Sequence, residues 1–278
     1  MNSKTQPAGS TGTPVLSVLM PSYNSAAFIE KSIESVLAIK GPELELIIHD
    51  ACSTDGTADI VARIGDPRVH FVAEPDDGQS DALNRALAQA RGEWIGWLNA
   101  DDVYEPEQAA RLAETFSRPL DFVYGDHAVI DAGGEELKSY GAARPLTERQ
   151  LFLRGVFINC SAGFYRAEVV RRIGGWDPNL HLCMDLDLLL KLVRGRARSL
   201  YVPGSVMALR IHDAAKTQRD SWGIAKEGWG VVTRHLDGAP RGARTLALYG
   251  QLRFRTYLVT MPLWTSRAWR RVKPTKQL

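Results

Sequence analysis

The chain has 278 residues, 45% of them hydrophobic and 24% charged, with a formal net charge of +2. That is globular material with enough apolar surface for one large domain, or one domain plus an appendage, and it excludes a wholly disordered chain. No run of about 18 apolar residues occurs, so no spanning helix is expected. The charge is unevenly placed: residues 238–278 hold nine Lys and Arg and no acid, which leaves −7 on the rest of a chain whose net charge is +2. Cys52, Cys160 and Cys183 show neither metal-ligand spacing nor a paired framework, which points to a reducing, cytoplasmic setting.

Residues 1–14 are rich in Ser, Thr, Gly and Pro, and read as a disordered lead rather than a signal peptide. Residues 15–20 are apolar and β-prone, a buried first strand closed by Pro21-Ser22-Tyr23-Asn24. Over 25–39, Phe28, Ile29, Ile33, Val36 and Leu37 recur at helical spacing. Ser25 suits the N-cap, and Gly41-Pro42 stops the helix. Residues 44–48 form a second strand that delivers His49 and Asp50, and 58–64 the next helix. Residues 69–72 are a third strand, closed by Glu74-Pro75-Asp76-Asp77-Gly78. A helix over 80–90 carries Leu83, Ala86, Leu87 and Ala90 on one face and ends before Gly92. Trp94 to Leu98 then reads as a fourth buried strand.

That strand stops at Asn99-Ala100-Asp101-Asp102. Adjacent ionised carboxylates repel and are costly to bury, so they call for a cation or a donor network. Oxygen-rich sites of this kind suit Mg²⁺ or Mn²⁺. The same two acids could instead cap a helix starting near Pro106. Alternating strands and helices over roughly 90 residues predict a parallel α/β sheet, whose ligands gather at strand carboxyl ends. Tyr23, Asp50 and Asp101 all fall there. No Gly-x-Gly-x-x-Gly or Gly-x-x-x-x-Gly-Lys-Ser/Thr occurs, which argues against a dinucleotide fold or a P-loop.

Regular alternation ends after a helix over 106–116. A strand over 122–126 precedes a hairpin of 128–131 and 135–140 around Ala132-Gly133-Gly134. A short helix over 147–153 leads to a loop over 155–163 with Asn159 and Ser161. A helix over 166–173 ends at Gly174-Gly175, and Trp176-Asp177-Pro178 turns the chain. The helix over 184–194 opens with Asp185 and Asp187. Two short strands, 199–202 and 206–211, deliver His212. From 218 onward aromatic residues interleave with arginines, which reads as two or three helices, the last stopped at Pro262.

Six stretches carry a family resemblance. They are Leu19-Met20-Pro21-Ser22-Tyr23-Asn24, Asp50-Ala51-Cys52-Ser53-Thr54-Asp55-Gly56-Thr57, Glu74 to Gly78 with Asp81-Ala82-Leu83-Asn84, Gly96 to Asp102, Gly174 to Asp177 with Met184-Asp185-Leu186-Asp187, and Arg210-Ile211-His212. In this order and spacing the chain resembles the family 2 inverting glycosyltransferases with the GT-A fold. The resemblance implies an α/β, Rossmann-like, mostly parallel sheet flanked by helices. Residues 15–217 would form the GT-A domain, with 15–104 for the nucleotide sugar and 105–217 for the acceptor. Residues 218–278 would be a basic, aromatic-rich helical appendage.

The resemblance also implies roles. Pro21 and Tyr23 would line the nucleobase, Tyr23 by stacking unless it is a packed loop aromatic; Asn24 would bind the donor, and Asp50 would face base or ribose, although Ala51 stands where a second Asp is common. Asp81 and Asn84 would reach the ribose or sugar, or form a solvated helix face. Asn99-Ala100-Asp101 occupies the Asp-x-Asp position, with Asn99 and Ala100 toward the donor and Asp101 on Mn²⁺ or Mg²⁺. Asp102 would cap the next helix or support Asp101. His212 would complete the metal shell or meet the diphosphate, and Arg210 would pair with phosphate. Asp185 matches the base, though it could instead cap the helix it opens, and Asp187 is the second candidate for the base or a structural acid. Trp176 and Asn159 would flank the acceptor, Trp176 being equally suited to the core.

The implied reaction moves a sugar from a nucleotide diphosphate, a UDP-sugar by resemblance, to a glycan or lipid-linked acceptor in polysaccharide or glycolipid assembly. The basic segment 238–278 could dock on an anionic inner membrane leaflet, or serve as a lid or oligomer contact. No nucleic-acid reader motif is present. Two rivals remain. A sugar-1-phosphate nucleotidyltransferase needs a Gly-rich basic loop after the first strand, which Pro21-Ser22-Tyr23-Asn24 is not. A silent nucleotide-sugar-binding protein has no need of both Asp101 and Asp185.

Overall fold

The computed structural model describes residues 14–141, 146–154, 158–212 and 221–236. The lead 1–13 and the basic segment 238–278 lie outside the described residues, as do all helices expected beyond 236.

The alternating half folds as its pattern predicts. Strands β1 (Leu16–Ser22), β2 (Leu44–Asp50), β3 (Val69–Ala73) and β4 (Trp94–Trp97) lie parallel in the order β3-β2-β1-β4. Strands β1, β2 and β4 are almost entirely buried, because both faces of the sheet are covered. Successive side chains point to opposite faces. Leu16, Val18 and Met20 therefore join a core with α1 (Ile29–Leu37), α2 (Thr57–Ile64) and α4 (Pro106–Ala113). Leu19 joins the other core, with α3 (Gln79–Gln89), α5 (Glu148–Arg154), α6 (Ala167–Arg172), α7 (Met184–Arg194) and α8 (Ser221–Leu236).

The second half continues the same sheet through β8 (Gly163–Arg166), β6 (Phe122–Ile130), β9 (Ser199–Arg210) and β5 (Val103–Tyr104), with β7 (Glu136–Tyr140) paired to the far part of β6. Strand β8 is antiparallel to both β4 and β6 and so joins the two halves. It is a correction to the sequence reading, which ended a loop at 163 and began a helix at 166. A run of four residues has too little periodicity to announce a strand, and its place in the sheet is set by long-range pairing. The expected strands 199–202 and 206–211 are one strand, with an irregular register at the point where Gly204 adopts φ +122°. Ser25 is not the cap of α1. Its carbonyl accepts the Phe28 and Ile29 N–H groups in a turn, and the helix starts later, at Ile29.

Gly96 opens the stretch that leads to the paired acids. A Cβ there would come within 2.8 Å of the Tyr104 hydroxyl and 2.9 Å of the Phe164 ring. The glycine lets β5 and β8 close against β4 without displacing either aromatic. Among the described residues, no helix is long and apolar enough to cross a membrane.

Candidate active site

The carboxyl ends of β1, β2 and β4 and the end of β9 converge on one edge of the sheet. On the β1 side, Asp50 is 1% exposed, and its two oxygens accept from Ser22 Oγ (2.8 Å), Ser53 N (2.7 Å) and Ser53 Oγ (2.6 Å). Ser53 Oγ also receives the Asn24 N–H, and Asn24 Oδ1 receives that of Thr54. Asn24 sits at φ +49°, a left-handed conformation that Asn tolerates. Asp55 binds Ala26 N and Thr57 from the same loop. This lacing holds the two loops together and leaves Tyr23 66% exposed, two residues after half-buried Pro21.

At the end of β4, Asn99 is a junction. Its Oδ1 accepts from Gln79 Nε2 (2.6 Å) and Trp97 Nε1 (2.9 Å), and its Nδ2 donates to Asp102 Oδ2 (2.9 Å). Asp102 is 1% exposed and does not cap α4. Its Oδ1 accepts the Arg210 N–H from β9 (2.8 Å), which stitches β4 to β9. The cap expected there fails because α4 begins beyond its reach, behind Glu105 and with Pro106 at its first position. Burial, then the charge of Asp101, pushes the Asp102 carboxyl well above the usual carboxylate range.

Arg210 is itself buried. Its Nε donates to the Asp101 carbonyl (2.8 Å), its Nη1 to the Asp131 and Ala132 carbonyls, and its guanidinium lies over Phe28. It holds backbone, rather than standing free for a phosphate as expected. The Ala100 carbonyl is likewise taken, by Ser32 Oγ (2.9 Å).

Half-buried Asp101 faces His212, with Oδ2 2.9 Å from Nε2 and the His212 ring packed on Phe28. The oxygen and nitrogen donors come from the segments just after β4 and just after β9, 111 residues apart in sequence. Together a carboxylate oxygen and an imidazole nitrogen could hold a divalent cation, the carboxylate being the donor that suits Mn²⁺ or Mg²⁺. Among the described residues no third His, Cys, Asp or Glu joins them. The remaining coordination positions would therefore fall to ligand oxygens and water.

The second pole is Asp185, in the first turn of α7. The residue is half-buried, and its Oδ1 accepts the Leu186 N–H (2.8 Å). Burial pushes its carboxyl up to about 6; the Leu186 hydrogen bond pulls the other way, and the nearby Glu227 charge adds to the rise. Cys160 Sγ lies against the Asp185 carbonyl, and Asn159, one residue earlier, caps its own turn through Ser161 N. Asp187 is 1% exposed and pairs with Lys191 through one oxygen and with His235 through the other, each at 2.8 Å.

Helix α3 ties the two poles. Gln79 bonds Asn99 beside Asp101, while Ser80 Oγ contacts the Leu180 carbonyl (2.8 Å) and Met184 Sδ (2.9 Å) beside Asp185. Asn84 lies one turn on and grips the Trp176 backbone at both N–H and carbonyl, so it is not free for a sugar. Trp176 is 1% exposed and edge-on to Trp97, which places it in the core rather than on a cavity wall. Asp81 pairs with Arg85 (2.8 Å); burial opposes its ionisation, but the Asp77 N–H and Arg85 bring its carboxyl below the ordinary value.

Gln79, Phe28 and Glu227 were not singled out in the sequence as site residues. Phe28 was read only as part of an apolar face. Gln79 had no signal beyond a helix start, because its partner lies 20 residues away.

The Asn99 junction yields a first prediction. Asn99→Asp sets an acid against buried Asp102 in place of an N–H donor. Stability should fall by about 2–4 kcal/mol at pH 8. Both carboxyls then bind protons more tightly folded than unfolded, so the deficit against the parent chain should shrink as pH is lowered toward 5. Thermal unfolding of both chains at the two pH values is the check. Equal Tm values at pH 8 would refute the junction.

Residues 17–174 match the family described as Glycosyl transferase family 2. TuaG of Bacillus subtilis (strain 168), named as a teichuronic acid biosynthesis glycosyltransferase, is 28% identical over 222 residues, covering 78% of this chain and 87% of its own. The succinoglycan biosynthesis protein ExoO of Rhizobium meliloti (strain 1021) is 34% identical over 142 residues, 50% of this chain and 41% of its own. Among solved structures, S. aureus TarS 1–349 in complex with UDP-GlcNAc superposes with TM-score 0.62 at 17% identity, covering 88% of this chain and 71% of that one. The mannosyltransferase PcManGT from Pyrobaculum calidifontis, in complex with GDP-Man and Mn²⁺, superposes with TM-score 0.58 at 17% identity, covering 92% and 88%. Those two share the fold, which is the GT-A arrangement.

Proposed function

We propose, from the premise that this chain belongs to glycosyl transferase family 2, that it transfers a sugar from a nucleotide diphosphate to an acceptor hydroxyl by single displacement with inversion. The observation that carries the reading is the pair of poles tied by adjacent residues of α3: Asp101 with His212 beyond Gln79, and Asp185 beyond Ser80.

Each pole suits one half of the reaction. A divalent cation held by Asp101 and His212 would supply Lewis-acid stabilisation of the leaving diphosphate. Tyr23, exposed beside Pro21 on laced loops, offers a face on which the nucleobase stacks. Asp185 takes the proton of the acceptor hydroxyl as its oxygen bonds the anomeric carbon and the bond from that carbon to the diphosphate breaks. A carboxyl held near 6 is mostly ionised at neutral pH, yet basic enough to accept that proton. Arg210, Asn99 and Asp102 do not touch the donor in this reading. They hold β4 and β9 so that Asp101 and His212 meet.

The substrates named for the structural neighbours, UDP-GlcNAc and GDP-Man with Mn²⁺, support a nucleotide-sugar donor. The names of TuaG and ExoO support an acceptor in polysaccharide assembly. A thermal-shift panel of UDP-glucose, UDP-GlcNAc and GDP-mannose, each with and without Mn²⁺, tests the donor. A ligand at a hundred times its Kd should stabilise the fold by about 2.7 kcal/mol. The expected result is a shift from one nucleotide sugar that grows with Mn²⁺. No shift from any of them would count against the reading.

A further inference from the structure

Helix α8 contains one acid, Glu227, and does not spend it on solvent. The carboxylate turns inward onto the segment that opens α7. One oxygen accepts the N–H groups of Leu182 and Cys183, both at 2.7 Å, and the other accepts that of His181 at 3.2 Å. Helix starts leave N–H groups without partners, usually met by a local Ser, Thr, Asp or Asn. Helix α7 has no such side chain at its cap position, Cys183. The N–H of that cap residue is met from another helix, 44 residues further along the chain, and the two N–H groups just before the helix share the same carboxylate. Two further contacts fix α8 there: Cys183 Sγ to the Ile224 carbonyl, and His235 to Asp187 in the same first turn of α7.

We propose that Glu227 is a positioning residue of the transfer reaction, holding the first turn of α7 so that the Asp185 carboxylate meets the acceptor hydroxyl. The inference rests on the reading of Asp185 as the base. Beyond what a neutral cap could offer, Glu227 brings a charge to the site. The charge of Asp185 in turn bears on Cys183, two residues before it, on Cys160 in the turn after Asn159, and on Tyr165 of β8. Burial pushes all three upward, so they are neutral near pH 6. Glu227 is thus the one negative side chain among the described residues that bears on Asp185, and it raises the proton affinity of that group.

Glu227→Gln keeps an oxygen for Leu182 and Cys183 but removes the charge and the His181 acceptor. The titration of the Asp185 carboxyl, followed by carbon NMR, should move down by about half a pH unit. The acid limb of nucleotide-sugar hydrolysis, with water as acceptor and the donor chosen from the panel above, should move with it. The rate at the optimum should drop about tenfold, with KM for the donor unchanged. Glu227→Asp, which keeps the charge on a shorter arm, should lose rate without moving the titration. His235→Asn, which cuts only the second tether, should lower Tm and leave the acid limb in place. A Gln variant with wild-type titration and rate overturns the inference. If Glu227→Gln does not fold, an Asp variant whose Asp185 titration moves also overturns it. Failure of the base reading looks different, because Asp185→Asn would then keep both rate and acid limb.

Discussion

Replacing Asp185 by Asn should lower sugar transfer by about 10²–10⁴-fold while leaving nucleotide-sugar binding intact and making the protein more stable at neutral pH. The loss follows from the proton. An amide cannot accept it, and nothing else among the charged groups near the start of α7 is poised to do so: Asp187 is bound by Lys191 and His235, and Glu227 by three backbone N–H groups. Donor binding survives because its proposed contacts lie on the β1, β2 and β4 ends. The gain in stability follows from burial. The folded carboxyl binds its proton more tightly than the unfolded one, up to about 6 against 3.8. Such a group costs nothing below the unfolded value, and its cost grows as pH rises through the folded value. Removing it should stabilise the fold by about 1–2 kcal/mol above pH 6, after discounting for solvent near a half-buried group, and by nothing below pH 4. Activity, donor-induced thermal shift and Tm against pH on one variant check all three parts. Full transfer activity in Asp185→Asn would falsify the base assignment.

Asp101→Ala should produce the complementary defect. Nucleotide-sugar binding should lose its dependence on Mn²⁺, and the transfer rate should fall by about 10²–10³-fold, the scale of losing one group that stabilises developing charge. The acid limb set by Asp185 should not move, since Asp101 belongs to the other pole. The fold should hold. Arg210 grips the Asp101 carbonyl, not its carboxylate, and Asp102 keeps its own bonds to Arg210 and Asn99. His212 would lose its partner and keep its packing on Phe28. Titrating Mn²⁺ into thermal shifts of the two chains, at saturating donor, separates the cases. An Asp101→Ala chain that responds to Mn²⁺ like the parent would place the cation elsewhere.

Neighbouring acids in one motif have unlike partners here. Asp101 and Asp102 could equally be read as metal ligand, helix cap or support. Their separation is made by β9. It reaches β4's end through β5 and lays the Arg210 backbone against Asp102 and the His212 ring against Asp101. One acid is consumed in joining strands and the other is left facing a donor nitrogen. Similarly, Asn84 and Trp176 were paired with ligands by resemblance, yet they bind each other at the junction of α3 with the segment before α7.

By itself, the sequence determined the alternating half, the strand ends at Asp50 and Asp101, and the helix that opens with Asp185. These depend on local periodicity and on a few stops such as Gly41-Pro42 and Gly174-Gly175, which act over one or two turns of chain. Only the tertiary structure decided that β8 joins the two halves, that Asp102 and Arg210 are internal fasteners, that Asp101 meets His212, and that Glu227 caps α7. Each is a contact between residues tens of positions apart, and a lone Glu or a four-residue strand has no local pattern to announce its partner. The hydrogen-bonding demand of a buried group shows in the sequence; what satisfies it is set by which elements the fold brings together.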